Sequence, residues 1–202
     1  MTGLRERKKT KTRQAIRAAA HRLIEEQGYE ATTVEQIAER AEVSPSTVFR
    51  YFPTKEDIVL TDACDPLLLA ELRARPAGEP WARSLRYALH RAAERALADG
   101  DELRLRTRLL VEVPALRSRM TESMADTARL LCRVIADRTG RDPESLEVRV
   151  HVMSLLGALI ETSAHWAEHG HREDFATLLD RTLDVLERGL PALDEDPSAV
   201  RP

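Results

Sequence analysis

The sequence predicts an all-α protein in two domains, and three observations carry that prediction. Apolar residues recur with a period of about 3.6 along most of the chain, and no run alternates with the period of two that a half-buried strand needs. Gly, Pro and capping residues punctuate the pattern at helix-length intervals. At 202 residues and 43% apolar content, the chain is long enough to bury a sizeable core. The basic, polar N-terminus lacks the apolar stretch of a secretory signal. The longest uncharged run, VHVMSLLGALI at 150–160, falls far short of the ~20 apolar residues of a membrane span. Cys64 and Cys132 have neither metal-ligand nor C-x-x-C spacing, which predicts buried, reduced thiols and a cytoplasmic protein.

The first helix is expected over 10–27, with Ile16, Ala19, Ala20, Leu23 and Ile24 on one face and Gly28 as its stop. Net charge is only −3, yet residues 1–22 hold eight Lys or Arg (Arg5, Arg7, Lys8, Lys9, Lys11, Arg13, Arg17, Arg22) against the single acid Glu6, a local +7. Because this cluster runs into a helix, it is mounted on a folded element and points to a polyanion such as nucleic acid. Thr33 with Gln36 forms a capping box that opens the second helix, and Ser44 with Pro45 at the first helical position opens the third. Pro53 and Thr54 stop that helix and cap the next, a helix over 54–72 that leads into the second domain.

Val34, Ile37, Ala38 and Ala41 form one face of the second helix, and Val43, Thr47, Val48 and Phe52 continue the same core across the turn. Phe49 is expected in that core as well. Helices this short are marginal alone, so both must pack on the helix 10–27. Two short helices joined by a tight turn make a helix-turn-helix, whose second helix enters the ~12 Å major groove. With the apolar positions inward, Pro45, Ser46, Thr47, Arg50 and Tyr51 face out or sit at the N-terminal end, and Arg50 can reach guanine O6 and N7. Lys11 and Arg13 add phosphate-facing charge.

From about Lys11 to Leu60 these residues resemble the DNA-binding domain of TetR-family transcriptional regulators. The likeness rests on Gly28-Tyr29, Thr32-Thr33-Val34, Ile37-Ala38, Ala41-x-Val43-Ser44 and the run Thr47-Val48-Phe49-Arg50-Tyr51-Phe52-Pro53-Thr54-Lys55-Glu56. The resemblance implies that Thr33, Ser44, Thr47, Tyr51 and Lys55 hold phosphates while Pro45, Ser46 and Arg50 lie nearest the bases. Two positions depart from the family pattern. Glu42 stands where glycine is common in the turn, at a cost of about 1 kcal/mol if the site needs a positive φ. Phe49 replaces a common tyrosine and so lacks a phosphate-binding hydroxyl.

Domain boundaries follow: 1–60 for DNA binding with its basic arm, 61–190 for a helical ligand-binding and dimerisation domain, and a polar, Pro-rich tail at 191–202 expected to be disordered. In the second domain helices are expected over 81–98, 101–112, 114–138, 143–169 and 172–189. The helix 143–169 is apolar on two faces, one with Leu146, Val150, Met153, Gly157 and Ile160 and one with Val148, Val152, Leu155, Leu159 and Trp166, so both sides require cover. One face is expected to serve the chain's own core. Leu155 and Leu159, with Leu179, Leu183 and Leu186 of the last helix, are the expected homodimer interface. FRYFPTKEDIVLTDACDPLL and LRLRTRLLVEVPALRSRM resemble the TetR subgroup with an acyl-CoA-like ligand-binding domain, as in regulators of mycofactocin-type clusters. This implies an elongated apolar pocket with Leu85, Leu89, Leu109, Leu110, Met120, Met124, Leu131, Met153, Leu156 and Ile160 as candidate walls, and Arg104, Arg106 and Arg108 available to CoA phosphates. Ordinary core is the alternative for each wall residue.

Catalysis has little support. There is no Gly-rich phosphate loop, no Gly-x-Ser-x-Gly and no Cys/His pair at recognisable spacing. His165, His169 and His171 lie close in HWAEHGH, but no Glu follows the first His as zinc peptidase chemistry needs, and a helix C-terminus favouring cationic His accounts for them. No catalytic residue, metal or cofactor is therefore expected. The sequence points to a homodimeric, ligand-responsive transcriptional regulator, a repressor that binds a palindromic double-stranded operator and is released by a small apolar or amphipathic ligand such as an acyl-CoA. An activator or a multidrug-type sensor on the same fold is the alternative, with a helical enzyme or metal-binding protein as the competing class.

Overall fold

The computed structural model describes residues 3–60, 64–98 and 100–189, so the expected tail at 191–202 lies outside the described residues. The elements are all helical: α1 (Leu4–Gln27), α2 (Val34–Arg40), α3 (Pro45–Tyr51), α4 (Lys55–Leu60), α5 (Cys64–Ala74), α6 (Trp81–Ala98), α7 (Gly100–Glu112), α8 (Pro114–Thr139), α9 (Leu146–Glu168) and α10 (Phe175–Arg188). The expected helix 54–72 corresponds to α4 and α5, and its middle, 61–63, falls outside the described residues. The chain divides into two compact units, residues 1–62 with 101–120 and residues 63–100 with 121–202.

The first unit is built around α1. Ile16, Ala19, Ala20 and Leu23 of α1 pack with Ile37 and Ala38 of α2, Val48 of α3, and Phe52 and Ile58 into one cluster. α1 begins at Leu4, ahead of the expected 10, because Arg and Lys are good helix formers and Arg7, Lys8, Lys9 and Lys11 are exposed to water. Gly28 ends the helix at φ 86°, its N–H donating to the Ile24 carbonyl at 2.8 Å. The predicted capping box opens α2: Gln36 N–H donates to Thr33 Oγ1 at 3.2 Å and Thr33 N–H to Gln36 Oε1 at 2.9 Å. α2 closes in a Schellman turn, with Glu42 N–H on the Glu39 carbonyl at 3.1 Å and Val43 N–H on the Ala38 carbonyl at 2.9 Å. That turn places Glu42 at φ 55°, the conformation the family's glycine would adopt without strain.

The first unit extends beyond the expected 1–60 because α1 has a second apolar face. Ile24 and Tyr29 pack with Leu105, Leu109 and Val113 and with Leu116, so α7 and the start of α8 belong to the same unit.

The second unit buries Leu72, Leu85, Ala88, Leu89, Leu131, Val134, Ile135, Val148, Val152, Leu155, Leu179 and Leu183 in one core, together with the free thiol of Cys132. Burial pushes that thiol above its ordinary pKa, which fits the expected inert cysteine. Arg138 fastens the C-terminal end of α5: Nη1 donates to the carbonyls of Leu72 and Arg75 at 3.0 Å each, and Nη2 to the Ser84 hydroxyl at 2.9 Å. α9 and α10 start later than expected because their first turns are claimed by side chains. Asp142 Oδ1 accepts from Glu144 N–H at 2.9 Å ahead of α9, and Asp174 Oδ2 caps α10 by accepting from Thr177 N–H at 2.9 Å. Among the described residues no helix is long and apolar enough to cross a membrane.

The strained turn gives the first test. Glu42→Gly should stabilise the protein by about 0.5–1 kcal/mol, a rise in Tm of about 2–4 °C at most for a chain of this size, measured by calorimetry with helix content unchanged.

Candidate nucleic-acid interface

α3 is oriented by its buried side and capped at its exposed end. Val48 and Phe52 are fully enclosed, which turns the opposite face outward. Ser44 Oγ accepts from Thr47 N–H at 3.2 Å and lies 2.9 Å from the hydroxyls of Ser46 and Thr47. Ser44, Pro45, Ser46 and Arg50 are exposed, while Thr47 and Tyr51 are half-buried on one flank. The Arg50 guanidinium carbon lies 5.4 Å from the centroid of the Tyr51 ring, so a cation and an aromatic face are presented side by side. Phe49 corrects the expectation of a core residue. It follows Val48 by about 100° around the helix, and its side chain is 49% exposed on the flank opposite Thr47 and Tyr51.

Of the basic residues on α1, Lys11, Arg13 and Arg22 are exposed, and Arg13 lies 5.0 Å from the Phe52 ring centroid. Arg17 does not join them: its guanidinium pairs with Glu102 of α7. Lys55, expected on a phosphate, turns inward. Its ammonium donates to the carbonyls of Tyr29 at 2.9 Å and Thr32 at 3.1 Å and sits 3.9 Å from the Tyr29 ring centroid, so it closes the α1–α2 loop. Thr33 keeps its side chain exposed while serving as the cap of α2.

α4 is held beneath this surface by polar ties that the sequence did not single out. Tyr29 Oη donates to Glu56 Oε1 at 2.7 Å, and Arg119 Nε donates to Asp57 Oδ1 at 2.8 Å. Asp57 also takes the Thr54 N–H at 3.0 Å. Burial alone would raise the Asp57 carboxyl, but the Arg119 and Thr54 hydrogen bonds outweigh it and hold the pKa below its ordinary value.

The candidate ligand-pocket residues are divided between the two units. Leu109, Leu110 and Met120 belong to the first unit; Leu85, Leu89, Met124, Leu131, Met153, Leu156 and Ile160 belong to the second. Leu85, Leu89 and Leu131 are core, Leu156 packs against that core, and Met153 is 47% exposed. A recess of about 310 Å³ lies between α9 and α10, lined in part by Ala158, Thr162, His165, Leu178, Arg181 and Leu186; none of the ten expected wall residues borders it. Of the expected interface residues, Leu155, Leu179 and Leu183 are buried by the chain's own helices, whereas Leu159 and Leu186 pack against that core and stay half-buried. The face left open on α9 carries Leu146 at 72%, Val150 at 54% and Met153 at 47% exposure. His165 and His169 stack with ring centroids 4.0 Å apart at the end of α9, and among the described residues no group of three ligating side chains could hold a metal.

Comparison with known proteins finds two family matches in succession along the chain. Residues 16–61 match the family described as bacterial regulatory proteins, tetR family, and residues 79–191 match the MftR C-terminal domain. The HTH-type transcriptional regulator TcmR of Streptomyces glaucescens is 40% identical over 148 residues, which cover 69% of this chain and 66% of that relative's length. The fatty acid metabolism regulator protein of Bacillus subtilis is 26% identical over 189 residues, covering 91% of this chain and 97% of the relative. Among solved structures, Thermus thermophilus FadR in complex with lauroyl-CoA superposes with a TM-score of 0.59 at 24% identity, over 94% of this chain and 98% of the other.

The geometry separates Arg50 from Lys55 in an experiment. Arg50→Ala should cost about 1–3 kcal/mol on a preferred duplex and little on random DNA, measured by fluorescence anisotropy. Lys55→Ala should instead lower folding stability by about 1–2 kcal/mol while leaving the dependence of affinity on salt near that of the parent protein.

Proposed function

The chain belongs to the TetR family of bacterial transcriptional regulators, and from that premise we propose that it is a cytoplasmic homodimeric repressor released from its operator by a fatty acyl-CoA. The observation that carries the DNA-binding part is the outward face of α3, where Arg50 and the capped Ser44-Pro45-Ser46 end stand clear of the core above a basic α1. Small residues at that end let the backbone approach a groove, and exposed Lys11, Arg13 and Arg22 supply phosphate charge. The homodimer reading is supported by the open face of α9. Leu146, Val150 and Met153 form a continuous apolar stripe of the kind that marks an interaction surface, and a twofold axis would set it against its own copy. Two recognition helices on a dyad read half-sites about one helical turn apart, so the operator is a palindrome.

The ligand class is supported by the near full-length similarity to a fatty acid metabolism regulator and by the shared fold with a repressor solved with lauroyl-CoA. Release is a population shift: the ligand prefers a dimer whose recognition helices are wrongly spaced, and only that difference in affinity opposes DNA binding.

Lauroyl-CoA at about 100 times its Kd should stabilise the protein by about 2.7 kcal/mol, a Tm rise of about 5–10 °C, and should dissociate it from its palindrome. Stabilisation by cationic drugs with none by acyl-CoA esters would reassign the ligand class.

Val150→Asp places a charge on the open stripe of α9, so it should sediment as a folded monomer and bind the palindrome at least about 100-fold more weakly, whereas Leu155→Asp should unfold the chain. A Val150→Asp dimer with unchanged affinity would move the interface elsewhere.

A further inference from the structure

Phe49 is the large apolar side chain that the first unit leaves open on its recognition helix. α3 has seven residues, and its buried side is taken by Val48, with Phe52 following at the C-terminal boundary. Around the remaining circumference Ser46 and Phe49 are one turn apart, and Arg50 follows Phe49 by about 100° with its guanidinium turned toward the Tyr51 ring. Thr47 and Tyr51 carry the hydroxyls on the other flank. The 49% exposure of Phe49 therefore belongs to the same outward surface of α3 as the group best suited to guanine, and the side chain has no hydroxyl with which to reach a phosphate. In the major groove the apolar group that distinguishes one base from the others is the thymine C5-methyl, and a phenyl ring is among the side chains that contact it.

Resting on the DNA-binding reading above, we infer that Phe49 is a specificity-determining residue that packs on a thymine methyl in each half-site, beside the base pair read by Arg50. The contact removes from water both the methyl and the ring face that the folded monomer leaves exposed. It discriminates by methyl burial rather than by hydrogen bonding, and it adds no phosphate charge, so it leaves the salt dependence of binding unchanged.

The test uses the full-length protein and duplexes that it selects from a random pool. In a selected duplex each thymine is replaced in turn by deoxyuridine, which removes the methyl and keeps the pairing edge. At one thymine per half-site, within about two base pairs of the guanine whose preference Arg50→Ala relaxes, the substitution should weaken binding about four-fold, and about sixteen-fold when made in both half-sites, the factor for burying one methylene per site. Phe49→Ala should bind the thymine duplex about as weakly as the parent binds the deoxyuridine duplex and show no further loss on deoxyuridine. Phe49→Leu, which keeps an apolar contact in a conservative exposed substitution, should retain part of the methyl sensitivity; circular dichroism of each variant checks the fold. Insensitivity of the parent protein to every deoxyuridine substitution, or the same loss in Phe49→Ala as in the parent, would overturn the assignment while leaving DNA binding intact. Failure to select any duplex above random would overturn the function proposed above and this inference with it.

Discussion

The first unit depends on one buried meeting point. Ile16, Ile37 and Val48 have no exposure, and Phe52 closes the same cluster at 1%. α2 and α3 have seven residues each, too few to hold a helix in water without tertiary support. Their helical state and their orientation are therefore one event: the side chains that let α3 exist also decide which of its residues face away from the protein. This is why a recognition surface can be built from residues with no strong helix preference of their own. Ser44, Ser46 and Thr47 are polar and helix-neutral, and they are held in place by Val48 behind them.

The turn between the two helices trades strain for direction. The paired N–H donations of Glu42 and Val43 to the carbonyls of Glu39 and Ala38 fix the exit of α2, and they do so with a non-glycine residue at φ 55°. Below the turn, α4 is held by contacts of mixed character: an ammonium on two carbonyls from Lys55, a phenol on the Glu56 carboxylate, and a guanidinium on Asp57. Each half-buried charge has its partner, which is the condition for holding charges away from water without destabilising the core. Arg17 with Glu102 belongs to the same pattern, and it explains why a basic segment need not present every cation to a polyanion.

Local rules made much of this legible. The capping box at Thr33, the Ser44-Pro45 start, the Gly28 stop and the apolar face from Ile16 to Leu23 are short-range signals, and each appears in the structure, while Ile24 turns to a second face packed with Leu105 and Leu109. The positive φ of Glu42 was legible in the same way, from a position where the family favours glycine. Phe49 was not, because an aromatic residue in an apolar pattern reads as core until the angle of its neighbour Val48 is known. Lys55 and Arg17 escaped for another reason: whether a cation faces solvent or an internal carbonyl depends on chain far away in sequence, the Tyr29–Thr32 loop in one case and α7 in the other. The later start of α9 and α10 is a matter of Asp142 and Asp174 side chains competing for backbone N–H groups, which periodicity alone does not report.

α9 shows where a sequence pattern stops short of an assignment. Its two apolar seams, Val148-Val152-Leu155-Leu159 and Leu146-Val150-Met153-Gly157, have the same spacing and comparable composition, so period and hydrophobicity rank them equally. The difference is supplied by α6 and α10 of the same unit, whose Leu85, Leu89, Leu179 and Leu183 close over the first seam and leave the second open. Interchanging the seams changes the chemistry required of a partner. The leucines of the first seam are part of a core that must form before any association, whereas the second seam can be covered and uncovered without unfolding. The homodimer proposed above, if it reorients its subunits when a ligand binds, needs a surface of the second kind. The energy of such reorientation must come from a difference in ligand affinity between two assembled states, since a ligand that binds both equally shifts neither.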